Sequence, residues 1–244
     1  LLGYLLNWGL FGMLSIQVYV YHIAFPNEKI RLKCLVFGIY FIEAIQTIII
    51  THDAWKAYAS GYGRLEALGN LQLEWLAVPF LSGIVSCMVQ ITYAHRLFVL
   101  SGSKLLAIGV SLISVMQGSA AVAQGVQAFF IGNLADLATE AFTSCAIWLA
   151  GSAVCDIIIA IGMTFLLLKR NTQYPTTNTI ITKLVHLVVE TGLLTAVATS
   201  VDLVLFLAFP HQSYYACIAL TLAKLYSNSL LAIFNSRTQT LAGR

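Results

Sequence analysis

The chain has 244 residues, of which 59% are apolar and only 9% are Asp, Glu, Lys or Arg. A soluble domain carries about 25% charged residues, so this composition excludes an ordinary water-soluble fold and indicates a bilayer as the solvent. The formal net charge is only +3, and no basic run with interleaved aromatic residues occurs. We therefore expect no nucleic-acid partner.

Seven apolar stretches, each long enough for a helix to cross a bilayer, follow one another with short polar breaks. They cover residues 1–25, 32–52, 71–97, 105–130, 142–168, 184–209 and 214–235. Pro26 and Pro210 follow the first and sixth stretches, where a proline ends a helix at little cost. The runs lack the alternation of β-barrel strands. The sequence thus predicts an all-α membrane protein, with residues 1–244 forming one seven-helix transmembrane domain.

The basic residues predict the orientation, since cytosolic loops carry an excess of Lys and Arg. Only Lys56 and Arg64 lie in the breaks on one side of the membrane. The opposite side holds Lys29, Arg31, Lys33, Arg96, Lys104, Lys169, Arg170, Lys183, Arg237 and Arg244. We therefore predict an N-terminus outside the cytosol and a C-terminus inside it. The tryptophans all fall toward the outer side, as interfacial anchors would: Trp8, Trp55, Trp75 and Trp148.

Ionisable residues within the predicted spans are costly, at about 2.5–3.5 kcal/mol each. Glu43, Asp156 and Lys224 fall near the midplane, Asp202 in the outer part of span six and Glu190 in its inner part. An isolated ammonium at that depth is unfavourable. We expect Lys224 to pair with a carboxylate, with Asp202 on the adjacent helix as first choice and Glu43 or Asp156 as alternatives.

Polar residues also share helical faces in four of the spans, at about 100° per residue. The faces are Glu43, Gln46 and Thr47; Ser114, Gln117 and Gln124; Thr191, Thr195, Thr199 and Asp202; and Cys217, Thr221, Lys224, Asn228 and Asn235. They predict a polar interior, which could hold a ligand or ion pathway or could only join helices by hydrogen bonds. The candidate site residues are Glu43, Gln46, Asp156, Glu190, Thr195, Thr199, Asp202, Lys224 and Asn228.

Metal and cofactor sites have weak support. The five cysteines form no CxxC pair, and the five histidines form no HxxxH or HExxH motif. Lys224 in the last span resembles the Schiff-base lysine of rhodopsins, but Leu220 stands where microbial rhodopsins carry an aspartate. His95-Arg96 resembles the inner end of span three in G-protein-coupled receptors, without the acid before the arginine. We expect no metal, no retinal and no haem.

Several short motifs along the chain resemble one large family. They are Asn7-Trp8-Gly9, Thr51-His52-Asp53-Ala54-Trp55, Val78-Pro79-Phe80-Leu81-Ser82-Gly83, Glu190-Thr191-Gly192, Asp202-Leu203, and Lys224-Leu225-Tyr226-Ser227-Asn228-Ser229 with Asn235-Ser236-Arg237. The chain is similar to a family of seven-helix membrane proteins of unknown function that is abundant in mushroom-forming fungi. The resemblance implies a fungal protein with a cytosolic tail beyond Arg244, and it implies no activity.

We expect a multi-pass protein of the plasma membrane or an endomembrane, receptor- or sensor-like, whose polar interior binds a small amphiphile such as a lipid or sterol. The alternative is a transporter or channel that uses the midplane carboxylates and Lys224. A membrane-embedded enzyme ranks third, because no nucleophile–base pair is visible. The sequence leaves a homo-oligomer open.

Overall fold

The computed structural model describes residues 1–63, 72–132, 140–169, 175–209 and 214–242. These residues contain seven long helices and no strand. The helices are α1 (Leu2–Ala24), α2 (Ile30–Trp55), α3 (Ser82–Ser101), α4 (Lys104–Ile131), α5 (Phe142–Lys169), α6 (Pro175–Ala208) and α7 (Tyr214–Ala242). A π-helical segment, Lys56–Ser60, continues α2, and another, Leu76–Leu81, leads into α3. The all-α prediction is confirmed.

Six of these helices, α2 to α7, are long and apolar enough to cross a membrane. Helices span a bilayer because they satisfy every backbone hydrogen bond internally. The chain is therefore a multi-pass membrane protein. Helix α1 has 23 residues but is not among the six, because Asn7, Gln17 and three tyrosines dilute its apolar run.

The helix ends differ from the predicted spans where polar residues continue a helix beyond its apolar part. Helix α6 begins at Pro175 and α7 ends at Ala242, whereas the predicted spans begin at 184 and end at 235. Gly102 and Gly132 end α3 and α4 in the left-handed conformation, with φ of 70° and 69°, which glycine adopts without a steric cost. Pro210 lies outside the described residues.

Helix α7 is the central helix of the bundle. In its most apolar 18-residue stretch 78% of the residues are buried, against 22% for α4. It packs against α1, α6, α3 and α2. Its buried side chains, including Ala223, Tyr226 and Leu230, join residues of the other helices in one apolar core. The polar residues in this buried stretch of α7 therefore meet mostly protein rather than lipid.

The outer surface of the bundle is apolar, as a lipid-facing surface requires. Ile16, Ile48 and Phe165 are among many large apolar side chains that are more than 60% exposed. Trp8 and Trp55 are also exposed, at 51% and 68%, which suits interfacial anchors. Trp148 was also predicted to be an interfacial anchor, and that prediction was wrong. Its side chain is only 3% exposed because it packs inside the bundle with Leu149 and Phe206.

Candidate functional site

The side chain of Lys224 lies fully buried at the centre of the bundle and pairs with Glu43. Its Nζ is 2.5 Å from Glu43 Oε2 and donates a further hydrogen bond of 2.8 Å to Gln46 Oε1. Ser227 donates to the other oxygen of Glu43 at 2.5 Å. Glu43 is fully buried as well. The two opposite charges neutralise each other, and their remaining polar atoms are hydrogen-bonded, which is what a buried ion pair needs to be tolerated.

This arrangement confirms that Lys224 pairs with a carboxylate and corrects the choice of partner. Asp202 was expected first, and neither of its carboxylate oxygens has a hydrogen-bond partner among the described residues. Glu43 takes the place because α2 packs against α7 and brings its carboxylate to the depth of Lys224. Sequence adjacency of α6 and α7 was a poor guide to which acid lies level with the ammonium.

Gln46 connects the Lys224 pair to the segment before α3. Its Nε2 donates to the backbone oxygen of Ala77 at 2.7 Å and to Ser82 Oγ at 2.9 Å. Ala77 lies in the π-helical segment that contains Pro79. The amide thus bridges α2 to the entry of α3, while its own Oε1 accepts from Lys224.

A second group of buried hydrogen bonds surrounds Asp156 on α5. Gln90 Nε2 donates to Oδ1 at 3.0 Å, and the Tyr226 hydroxyl donates to Oδ2 at 2.6 Å. Gln117 Nε2 donates to Gln90 Oε1 at 3.2 Å, and Ser152 donates to Gln117 Oε1 at 2.8 Å. Four helices, α3, α4, α5 and α7, meet in this group. Both carboxylate oxygens of Asp156 are engaged within the protein.

Other candidate residues make local hydrogen bonds. The Thr195 and Thr199 hydroxyls donate to backbone oxygens three or four residues earlier in α6. Asn228 Nδ2 donates to the oxygens of Lys224 and of Leu10, which ties α7 to α1. Glu190 was expected in the interior, but its side chain is exposed, since its face of α6 does not turn toward the bundle. Its use in a ligand or ion pathway stays a prediction.

A cavity of about 40 Å³ opens beside Asp202 at one end of the bundle. Its polar and aromatic lining consists of Glu74, Trp75, Gln124, Trp148, Asp202 and Tyr215, and the rest is apolar apart from Cys145. We call it the Asp202 cavity. A buried water needs about 10–15 Å³, so the space suffices for about three waters or a small chemical group.

Four buried polar atoms that face no protein partner are found on the residues of this cavity. They are both carboxylate oxygens of Asp202, the Gln124 Oε1 and the Tyr215 hydroxyl, each without a hydrogen bond in the described part of the chain. Native proteins leave few buried polar atoms unpaired, and such groups call for water, an ion or a ligand. Glu74 differs, since it accepts a hydrogen bond from Tyr4.

Sequence reasoning missed several of these partners. Tyr226 and Ser227 lie on α7 beside Lys224, and Gln90 lies on α3, but none stood on a polar stripe that would single it out. Glu74 and Tyr215 lie at helix ends, where polar residues are ordinary. The helical periodicity did indicate that Gln124 is an interior residue, because it shares a polar face of α4 with Gln117. Among the described residues, no three His, Cys, Asp or Glu side chains come together as a metal site.

Comparison with known proteins adds one match. A family of unknown function, DUF6534, matches residues 152–239, which include most of α5, all of α6 and most of α7. The match covers the Glu190, Asp202 and Lys224 motifs. It is consistent with the resemblance to a domain of unknown function. No curated protein and no solved structure matches the chain.

Proposed function

We propose that this chain is a receptor- or sensor-like membrane protein with seven spans that binds the polar head of a small amphiphile in the Asp202 cavity. The observation that carries the proposal is the carboxylate of Asp202, fully buried, without a partner in the described residues, and lining a cavity. Sites for small ligands are usually apolar cavities with a few polar groups that fix orientation. The Asp202 cavity has this character.

The seventh span in this proposal is α1. Its polar residues turn inward: Asn7 is fully buried and donates to the backbone oxygen of Leu220 on α7 at 2.6 Å. Its apolar residues turn outward, and Leu5, Ile16 and Ile23 are each at least 60% exposed. A helix with its polar groups satisfied by the bundle and an apolar outer face suits a lipid environment.

The orientation follows the excess of basic residues near one end of the bundle, which supports a cytosolic C-terminus and an outer N-terminus. The Asp202 cavity lies at the end where α1 begins, since Tyr4 contacts Glu74 on its rim. The cavity therefore belongs to the outer half of the protein. The family resemblance supports a fungal source.

The size of the cavity limits what can enter it. A complete sterol or lipid exceeds about 40 Å³ many times over, so only a head group reaches Asp202. Lys224 and Asn228 are also among the candidate site residues, but both have their donors engaged within the protein. The same engagement supports a structural role for Lys224, Glu43 and Asp156. Their use in a transport path stays a prediction.

The proposal is tested by filling the cavity. Ala219 lines it and is only 3% exposed, so Ala219→Leu places added methyl groups in the space that a ligand head would occupy. Ala123→Leu on the exposed face of α4 is the matched control. Native mass spectrometry of gently extracted protein compares small molecules bound to the original chain and to both variants.

We expect a bound small molecule in the original chain and in Ala123→Leu, and its loss in Ala219→Leu. Thermal unfolding in detergent verifies that each variant is folded. Equal binding by all three proteins would show that the ligand binds outside this cavity. Absence of any bound or added small ligand, with ordered water in the cavity, would overturn the proposed function.

A further inference from the structure

The charge of the Asp202 cavity identifies the chemical class of its ligand. Two of the lining residues, Glu74 and Asp202, are acids, and none of the lining residues that the structure describes is Lys, Arg or His. A buried carboxylate without a partner is unfavourable by several kcal/mol. A positively charged group in the cavity would remove this cost. An anionic or purely apolar group would not.

Asp202 stands apart from the other acids inside the bundle. Glu43 pairs with Lys224, and Asp156 accepts hydrogen bonds from Gln90 and Tyr226. Each of these carboxylates is compensated by the protein. Asp202 is equally buried, at 0% exposure, and its two oxygens have no such compensation within the described ranges. None of the residues that the structure describes therefore supplies a charge that would balance Asp202.

The unpartnered atoms of the cavity match the hydrogen-bonding needs of one functional group. A primary ammonium has three donors and no acceptor. The cavity presents the two oxygens of Asp202, the Gln124 amide oxygen and the Tyr215 hydroxyl oxygen, all able to accept. Trp148 and Tyr215 supply aromatic surfaces, which attract cations. A bare metal ion would favour a more complete set of oxygen ligands than these aromatic walls leave.

We propose that the Asp202 cavity binds a protonated primary amine, the head of an amphiphilic amine, with Asp202 as its counter-ion. This inference rests on the proposed function, because it specifies the ligand of the same cavity. The cavity of about 40 Å³ accommodates an ammonium and the first methylene groups. A trimethylammonium head, of the kind that larger aromatic cages bind, has no N–H group to donate to these unpartnered oxygens.

The experiment measures the unfolding temperature of the purified protein in detergent with small soluble probes. The probes are butylamine, its neutral counterpart 1-butanol, tetramethylammonium chloride and potassium chloride at matched ionic strength. A ligand that binds only the folded state raises its stability, and above the dissociation constant the gain grows with the logarithm of the ligand concentration. We expect such a concentration-dependent rise in unfolding temperature with butylamine and a smaller or no rise with the other three.

The variants assign the effect to Asp202. Asp202→Asn keeps the size of the side chain and removes its charge, and it should weaken butylamine binding about tenfold or more, since hydrogen bonds to charged groups are the stronger ones. Tyr215→Phe removes one acceptor and should weaken binding less. Ser200→Ala, two residues away with a hydroxyl bonded to its own helix, should leave binding unchanged.

The outcomes separate this inference from the proposed function. Equal binding of butanol and butylamine, unchanged in Asp202→Asn, would overturn the amine head and leave a ligand cavity. Stabilisation by potassium chloride equal to that by butylamine would overturn the proposal of an amine ligand and favour an inorganic cation. No response to any probe in the folded original chain, together with no small molecule in the native mass spectra, would overturn both.

Discussion

The Nζ atom of Lys224 lies 2.5 Å from Oε2 of Glu43, and both side chains have no exposed surface. This contact joins the last helix to the second across 181 positions of sequence. Gln46 and Ser227 complete the hydrogen bonding of the two charged groups. The pair therefore determines how α2 and α7 meet at the centre of the bundle.

Removing one member of this pair should be strongly destabilising. Lys224→Met leaves the Glu43 carboxylate buried without its counter-ion, and such changes cost about 3–5 kcal/mol. Adding Glu43→Gln removes the isolated charge and should recover most of the loss. The measurement is thermal or denaturant unfolding of the purified variants in one detergent.

The matched control for this cycle is Lys224→Met combined with Asp202→Asn. Asp202 does not contact Lys224, so the second substitution should not relieve the buried Glu43 charge. Recovery by Asp202→Asn equal to that by Glu43→Gln would show that Asp202 is the functional partner and would contradict the observed pairing.

The Tyr226 hydroxyl should stabilise the bundle through Asp156. It donates at 2.6 Å to a buried carboxylate, and hydrogen bonds to charged groups contribute about 1.5–3 kcal/mol. Tyr226→Phe should lower stability by about that amount. Tyr93→Phe, which alters a buried tyrosine outside these hydrogen bonds, should lower it less. Unfolding temperatures of both variants decide the question, and equal losses would count against the Asp156 group.

The close contact of α3 and α4 should depend on Gly83. A Cβ at this position would lie 2.5 Å from the Cβ of Ala121, so Gly83→Ala forces the two helices apart. Overpacking of this kind costs about 1–3 kcal/mol. Gly9→Ala meets nothing within 4 Å and should be neutral or stabilising, because alanine favours helix. A neutral Gly83→Ala would contradict the packing.

The proposed orientation is tested by labelling single cysteines with a membrane-impermeant reagent. The exposed Cys34 is first replaced by serine. Tyr62, between α2 and α3, is 88% exposed, and a cysteine placed there by Tyr62→Cys should react in intact cells. Ser103→Cys, exposed in the turn between α3 and α4, should react only after permeabilisation. The reverse pattern would invert the topology.

Local patterns in the sequence were sufficient to predict the membrane environment, the helices and the polar faces of those helices. Hydropathy and helical periodicity depend on neighbouring residues, so the burial of Gln46, Gln117, Thr199 and Asp202 was predicted correctly. The need of Lys224 for a carboxylate follows in the same way from the cost of a charge in a membrane. None of these inferences requires knowing which helices touch.

The tertiary structure alone decided which groups meet. At about 1.5 Å per residue, Lys224 lies about 15 Å along α7 from Tyr214, whereas Asp202 lies about 9 Å from the adjacent end of α6. The two residues are therefore at different depths, and Asp202 instead meets α4 and α5 around a cavity. The same packing buries Trp148 and exposes Glu190. Which helices are neighbours depends on contacts distant in sequence, which no local pattern encodes.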